Sequence, residues 1–322
     1  MTGADSATPD AFGVEDNRRR VWPIGTDVLN LRGSVGTSTA ARSMYAPWRI
    51  GDLMPSTSID HTALSPVLIA EWGTLRALAA ELGDGWVAPS ILPGWRNGDI
   101  IAHVVGTECM LEGRDVDAPA DLGDRDHVRN PIGELNEKWV EHFRGYGVDE
   151  VLAAFDEIVA TRSASLSAMT QADFDVETLT PAGTDTYGRF MRIRLFDCWI
   201  HEVDLRDGGL GGTPSTEPIA WVVDEISASL PFVVGKRAKA PEGATVAFRI
   251  TGSAPRTVRI AVTGRAGLVD AFAGTPDVVL ELDAVDLARL AGGRITADPT
   301  SVTISGDYEL GQSILARMAY LI

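Results

Sequence analysis

Cysteine and long hydrophobic runs are both scarce in this 322-residue sequence. Its two cysteines, Cys109 and Cys198, cannot build the disulfide framework of a small secreted domain, so a reducing compartment is expected. No apolar run approaches the roughly 20 residues of a membrane-spanning helix, and the N-terminus lacks the apolar core of a signal peptide. We therefore predict a cytoplasmic protein without a membrane partner.

Basic residues are also few. The sequence has 28 Lys and Arg against 45 Asp and Glu, which gives a formal net charge of −17. Such a surface repels the phosphates of nucleic acids, so a nucleic-acid partner is not expected. The sequence contains neither a phosphate-binding loop nor a serine-elbow motif, so nucleotide-binding and hydrolase sites of those kinds have no support.

The first part of the chain is predicted to be helical. Apolar residues recur at three- and four-residue steps between residues 58 and 212, which predicts an up-and-down bundle of four substantial helices. These helices cover about residues 60–82, 98–112, 149–169 and 189–207, with a further helical stretch around Trp139 and Phe143. Asn97 is the predicted N-cap of the second helix. Residues 1–57 lack a sustained period and are rich in small and polar residues, so we predict a disordered or loosely attached extension.

The pattern changes after Gly212. Strand-like runs occur at residues 245–251, 256–262, 277–282 and 301–305. Helical segments are predicted at about residues 218–234, 283–292 and 307–321. Residues 213–322 are therefore predicted to form a small α+β domain, and the whole chain is assigned to the α+β class.

The stretch RLFDCWIHEVDLR, residues 194–206, places Asp197 and His201 four residues apart. On a helix these two side chains share one face, so a carboxylate oxygen and an imidazole nitrogen can reach one metal ion. A solvated helix face or a helix-stabilising ion pair produces the same spacing. The pair alone therefore leaves the metal site and the structural interpretation open.

His103 lies in the apolar segment DIIAHVVG of the second predicted helix. A lone histidine in such surroundings is more often a core residue than a ligand. In helical bundles, however, metal sites are built from inward-facing side chains of different helices. Together with Asp197 and His201 it would give two imidazoles and one carboxylate, a set found at catalytic zinc sites and at redox iron sites.

Neighbouring polar residues admit two interpretations. Asp204 lies three residues after His201 and could orient its ring, but Asp204 and Arg206 fit a solvated helix end equally well. Cys109 and Cys198 lie off the faces of the candidate ligands, so we interpret them as small core hydrophobes. The remaining histidines are interpreted as surface residues: His61, His127 and His142.

Three segments resemble the mycothiol-dependent maleylpyruvate isomerase family, a branch of the DinB-like metal-binding four-helix bundles. LPGWRNGDIIAHVVGTE, residues 92–108, is similar to the family's PGW…D…AH opening of the second helix. RLFDCWIHEVDLR is similar to its carboxylate-x-x-x-His signature. LARLAGGRITADPTSVTISGDYELGQSILARM, residues 287–318, resembles the family's smaller α+β domain, which is similar to sterol carrier proteins. The resemblance covers about residues 59–322.

This resemblance implies a metal cofactor and a thiol cofactor. The metal, zinc or another divalent ion, would be held by His103, Asp197 and His201, and the thiol would be mycothiol or a similar small molecule. Metal coordination deprotonates a thiol near neutral pH, and the activated sulfur could add to an unsaturated carbon. The isomerase itself is similar but has glutamate at the position of Asp197. Because aspartate is one methylene shorter, the metal must sit nearer the helix or the helix must shift.

The implied activity is that of an isomerase or S-transferase on a small electrophilic or unsaturated acid. Arg206, and Arg192 or Arg194 upstream, could hold the substrate carboxylate, and Arg294 is the residue of the C-terminal domain expected to contribute. Two alternatives stay open, a non-catalytic metal- and ligand-binding carrier and a regulatory zinc protein of the same fold. The sequence does not reveal the oligomeric state, and a monomer is our working expectation.

Overall fold

The helical part of the chain follows the predicted apolar periodicity. The computed structural model describes residues 57–116, 125–128, 130–295 and 301–320, so the predicted N-terminal extension, apart from Thr57, lies outside the described residues. The helices of this part are α1 (His61–Glu81), α2 (Asn97–Leu111), α3 (Pro131–Arg144), α4 (Val148–Ala168), α5 (Gln171–Phe174) and α6 (Tyr187–Leu205). The four substantial helices expected from the sequence correspond to α1, α2, α4 and α6.

Helix α1 shows how the sequence produces these elements. The Asp60 carboxylate caps its N-terminus by accepting the backbone N–H groups of Thr62 and Ala63, at 2.8 and 3.2 Å. Its apolar residues at helical spacing are all buried: Leu64, Leu68, Trp72, Leu75, Ala79 and Leu82. The predicted inner face of this helix is therefore confirmed.

The N-terminus of α2 differs from the prediction in one respect. Arg96, not Asn97, is the N-cap residue. The Asp99 carboxylate reaches back to the backbone N–H of Arg96 at 2.8 Å, while the Asn97 side chain donates to the carbonyl of Gly85 at 3.0 Å. The prediction of Asn97 as N-cap was wrong because its amide instead ties the helix to the turn before it.

A hairpin absent from the sequence prediction lies between α5 and α6. Strands β1 (Glu177–Thr180) and β2 (Gly183–Thr186) pair in antiparallel fashion. Each strand has only four residues and no apolar alternation, so the period-2 signal of a strand is missing from the sequence.

The C-terminal part is mixed helix and sheet, as predicted. Its elements are α7 (Ile219–Phe232), β3 (Thr245–Thr251), β4 (Arg256–Thr263), β5 (Arg265–Leu268), β6 (Val278–Asp283), α8 (Ala284–Ala291), β7 (Thr303–Gly306) and α9 (Tyr308–Leu315). The sheet has the order β5-β4-β3-β6-β7, with β3 and β6 parallel and the other pairs antiparallel. The α+β class is therefore confirmed, and the short strand β5 was not predicted. Among the described residues, no helix is long and apolar enough to cross a membrane.

Helix α6 is shared between two hydrophobic clusters. Leu195 and Cys198 pack with the other bundle helices, whereas Trp199 and Val203 pack with the C-terminal helices and sheet. The helix is consequently buried on nearly every side, and its charged residues must find partners in the interior. The described residues form one unit, and the domain boundary predicted between residues 212 and 213 stays a prediction.

A buried carboxyl pair joins α1 to α6. Glu71 is 1% exposed and Glu202 is fully buried. Burial raises the pKa of Glu71 to about 9, with contributions from the negative charge of Glu202 and a hydrogen bond between the two carboxyls. Glu202 also accepts the backbone N–H of Ser215 at 3.0 Å and the guanidinium of Arg206 at 2.7 Å. Glu71 is therefore protonated at neutral pH in the folded protein.

We expect Glu71→Gln to stabilise the protein at alkaline pH. In the unfolded chain Glu71 ionises near its ordinary pKa of 4.5. Between pH 4.5 and 9 the Glu71 carboxyl is therefore ionised in the unfolded state and protonated in the folded state. Stability thus falls as pH rises through this window, by at most about 1.4 kcal/mol per pH unit. Chemical denaturation at pH 5 and pH 8 should show a gain for Glu71→Gln of roughly 1 to 3 kcal/mol at pH 8 and little at pH 5. The exposed Glu81→Gln serves as control, and a pH-independent difference would contradict the assignment.

Candidate metal centre

Three side chains predicted from the sequence converge between α2 and α6. His103 on α2 and Asp197 and His201 on α6 present ligand atoms that all lie within 4.8 Å of one another. Nε2 of His103 lies 3.2 Å from Oδ2 of Asp197, and Nε2 of His201 lies 3.7 Å from Oδ1. Both histidines are buried, whereas one third of the Asp197 side chain is exposed.

This donor set fits a divalent metal. Tetrahedral zinc with bonds of 2.0 to 2.2 Å to nitrogen and oxygen separates its ligand atoms by about 3.4 Å. Both nitrogen–oxygen distances are close to that value, and they end on different oxygens of Asp197, so the carboxylate presents one oxygen to each imidazole. Three protein ligands leave one coordination position for a further molecule.

The His201 ring is oriented from its far side. Its Nδ1 lies 2.8 Å from Oδ2 of the fully buried Asp204. Arg294, from the turn after α8, donates to both oxygens of that carboxylate, at 3.0 and 2.9 Å. A carboxylate at Nδ1 holds the proton there and leaves the Nε2 lone pair facing the site. By contrast, Nδ1 of His103 is buried without a hydrogen-bond partner among the described residues.

Local electrostatics favour the metal-binding protonation states of His103 and Asp197. Burial lowers the pKa of His103, which favours the neutral imidazole. Burial by itself would raise the pKa of Asp197, but the guanidinium of Arg194 and the neighbouring His103 hold it well below its usual range. Neutral imidazole and ionised carboxylate are the forms that bind a metal.

Trp95 forms one wall of the site. Its indole ring lies 5.4 Å from the ring of His103 and 6.3 Å from that of His201, between ring centres. The same residue lines a cleft of about 420 Å³ along the turn from Pro89 to Arg96. Trp95 therefore borders both the cleft and the candidate metal centre.

Glu137 of α3 holds Trp95 in place. This fully buried carboxylate accepts the indole N–H at 2.9 Å, and it also contacts Arg125, His127 and Arg144. The charge-assisted hydrogen bond fixes the rotation of the indole beside the two histidines.

The PGW segment needs a glycine at position 94, because of its backbone conformation and because the His127 ring packs against it. The φ of Gly94, +82°, is a conformation that other residues rarely adopt, and a Cβ there would lie 2.4 Å from Nδ1 of His127.

The three arginines that the sequence offered as substrate-carboxylate ligands, on α6 and directly after it, pair with carboxylates of the protein. Arg194 contacts Glu108 and Asp197, Arg206 pairs with Glu202, and Arg192 pairs with Glu225 of α7. Each of these arginines is thus engaged by a carboxylate of the protein. Cys109 and Cys198 are buried, as predicted, and burial raises the pKa of the Cys109 thiol to about 12.

The three other histidines are less exposed than expected. His61 is buried, with Nε2 2.8 Å from the carbonyl of Leu166 and its ring edge-on to Phe174, so its interpretation as a surface residue was wrong. His127 and His142 are half-buried. The end of α4 and the short helix α5 cover His61, which its position at a helix start did not reveal.

Two functional candidates were missed in the sequence, Glu108 and Glu137. Glu108 interrupts an apolar run of α2, and a charged residue at such a position signals a buried ion pair. Its partners lie 54 and 86 residues away, so no local spacing identifies them.

Two family models match the sequence. The model described as mycothiol maleylpyruvate isomerase N-terminal domain matches residues 68–206, and the model described as MDMPI C-terminal domain matches residues 220–313. No curated protein matches the sequence.

Solved structures of similar fold include two of mycothiol-dependent maleylpyruvate isomerase, one of them a histidine-to-alanine mutant. They have TM-scores of 0.52 and 0.51 and 17% sequence identity, over 77% of this chain and 93% of theirs. Sterol carrier protein 2 from Yarrowia lipolytica matches 30% of this chain and 91% of its own, with 15% identity and a TM-score of 0.23. The first two matches support the fold, whereas the third supports no conclusion, so the sterol-carrier likeness stays a prediction.

Fold and site together define a class of protein, a helical bundle with a candidate metal centre on two inner helices, followed by a smaller α+β domain. The two family models cover most of the chain in that same order. The chain belongs to the mycothiol-dependent maleylpyruvate isomerase family.

We expect zinc to be retained by the wild-type protein and lost from variants of the candidate ligands. Elemental analysis after dialysis should give close to one zinc per chain for wild type and a small fraction of that for His103→Ala and His201→Ala, because each removes one of three ligands. His142→Asn is the matched histidine control and should keep its zinc. Equal zinc content in all four proteins would exclude this site.

A second expectation concerns the Arg294–Asp204 pair. Arg294→Met removes both hydrogen bonds that hold the Asp204 carboxylate against His201, so zinc affinity should fall roughly tenfold, the low end of the effect of such outer partners. Arg289→Met is the matched control, since Arg289 forms a similar pair with Asp207 that does not touch Asp204. Competitive titration with a chelating dye measures the zinc affinity of both variants and of wild type. Equal affinities of Arg294→Met and Arg289→Met would show that Asp204 needs no support from Arg294.

Proposed function

We propose that this protein is a zinc-dependent and thiol-dependent isomerase or S-transferase that acts on a small unsaturated or electrophilic acid. One observation carries the proposal, namely the convergence of His103, Asp197 and His201 from two helices with one coordination position left over. Membership of a family named for a mycothiol-dependent isomerase supports mycothiol or a similar thiol as the cosubstrate.

The protein residues have distinct roles in this proposal. His103, Asp197 and His201 would hold the metal, and Asp204 keeps the proton of His201 on Nδ1. When bound, the metal would supply a Lewis acid that lowers the pKa of a thiol at the vacant position. Buried surroundings strengthen that effect, because both imidazoles are shielded from water.

Trp95 is the proposed boundary between the metal centre and the substrate. Its indole lies beside both histidine rings, and Trp95 is one of the residues that line the cleft along residues 89–96. A planar unsaturated acid in this cleft could stack on the indole face. Glu137 prevents the indole from rotating away, and the wall therefore excludes water from one side of the site.

The carrier and regulatory alternatives are less well supported. A protein that only carries a ligand has no need for two imidazoles and a carboxylate to converge beside a cleft. No observation on the described residues favours either alternative over the enzyme. A cytoplasmic location and a monomeric state stay predictions of the sequence.

The proposal is tested by turnover with a panel of cis-unsaturated and halogenated acids, with and without mycothiol. We expect conversion that requires both zinc and the thiol, and a loss of roughly a hundredfold or more in His103→Ala, because the metal activates the nucleophile. His142→Asn should retain wild-type rates. An isomerase returns the thiol unchanged, whereas a transferase consumes one thiol per product. If the zinc-loaded protein converts no acid of the panel in a thiol-dependent way, the enzymatic function is contradicted.

A further inference from the structure

A chain of alternating charges runs from the candidate metal centre into the bundle core. Asp197 contacts Arg194, Arg194 contacts Glu108, Glu108 contacts Arg162, and Arg162 contacts Glu112. The side chains behind Asp197 are at most 7% exposed, and that of Glu108 is fully buried. Buried charges of this kind are strongly coupled to their neighbours, because little water screens them.

The geometry at Arg194 is unusual for a residue beside a carboxylate ligand. A guanidinium usually grips a carboxylate with two parallel N–H groups. Here Nε and Nη2 both donate to Oε1 of Glu108, at 3.1 and 2.8 Å. Only Nη1 reaches Asp197, and it contacts Oδ2 alone. Glu108 therefore occupies the two donors that would otherwise grip Asp197.

This arrangement leaves the second oxygen of Asp197 for a metal. Oδ1 faces Nε2 of His201 at 3.7 Å and receives none of the Arg194 hydrogen bonds found among the described residues. Oδ2, which Arg194 contacts, lies 3.2 Å from Nε2 of His103. Glu108 is itself held from behind, since Arg162 donates to its other oxygen at 2.9 Å. Arg162 in turn is fixed by Glu112 at 3.0 Å and by the hydroxyl of Tyr187 at 3.2 Å.

The geometry points to Glu108 as a positioning residue for the metal centre. It engages the paired donors of Arg194, so that this arginine neutralises one oxygen of Asp197 without competing for the other. This inference rests on the proposed metal centre and adds a residue that neither the ligand spacing nor the family signature identifies.

Loss of the Glu108 charge should weaken metal binding through Arg194. In Glu108→Gln the neutral amide binds the guanidinium less tightly, and Arg194 can turn its paired donors onto Asp197. Zinc must then displace a two-point ion pair, so its affinity should fall by roughly 10- to 100-fold, the usual effect of losing an outer partner.

The test is a competitive zinc titration of the apo-protein, with folding checked by circular dichroism. Alongside wild type and Glu108→Gln, it uses the double variant Glu108→Gln/Arg194→Met, in which the competing guanidinium is gone. Glu112→Gln is the matched control, since it removes a carboxylate from the other end of the same chain. We expect Glu112→Gln to stay within about twofold of wild type and the double variant to regain most of the affinity lost in Glu108→Gln.

Recovery in the double variant is a result that a merely structural role would not give. Wild-type affinity in Glu108→Gln, or a double variant that binds no better than Glu108→Gln, would overturn the inference. Should Glu108→Gln fail to fold, Glu108→Asp retains the charge but withdraws the carboxylate by one methylene, and the same loss is expected of it. Two other results would instead overturn the metal centre itself. One is a wild-type protein that binds no zinc, and the other is a His103→Ala variant that binds zinc as tightly as wild type.

Discussion

The burial of α6 on nearly all sides is the constraint from which the site follows. An unpaired charge in the interior costs several kcal/mol, so each charged residue of this helix has to meet a partner from another element or from the next turn. The observed pairs are Arg192–Glu225, Arg194–Glu108, Glu202–Arg206 and Asp204–Arg294. Asp197 is the partly exposed acid of the set, and it lies where two imidazoles face it.

The same constraint links the C-terminal domain to the candidate metal centre. Asp204 orients His201, and although burial would raise the pKa of Asp204, hydrogen bonds from His201 and Arg294 hold it below its usual range. The backbone N–H of Ser215 donates to Glu202, and its carbonyl accepts the indole N–H of Trp199. These two hydrogen bonds fix the start of the connection to α7. A change at Arg294 in the C-terminal domain can therefore alter the orientation of the candidate ligand His201.

The sequence could predict those features that depend on local spacing, and it missed those that depend on distant partners. Asp197 and His201 share a helix face because of their four-residue separation, and His103 stood out within an apolar helix. The position of Glu108 in α2 indicated at most a buried ion pair, because its partners are arginines on two other helices that no local spacing identifies. His61 was misjudged for the same reason, because a later segment of the chain covers it.

The position at which a metal binds is the most direct test of the candidate centre. Crystals of the zinc-loaded protein, measured at the zinc absorption edge, should show one anomalous peak about 2.0 to 2.2 Å from His103, His201 and one oxygen of Asp197. Arg194 should remain on Glu108 in that structure. A peak at other residues, or zinc bound without Asp197 while Arg194 grips both of its oxygens, would contradict the account.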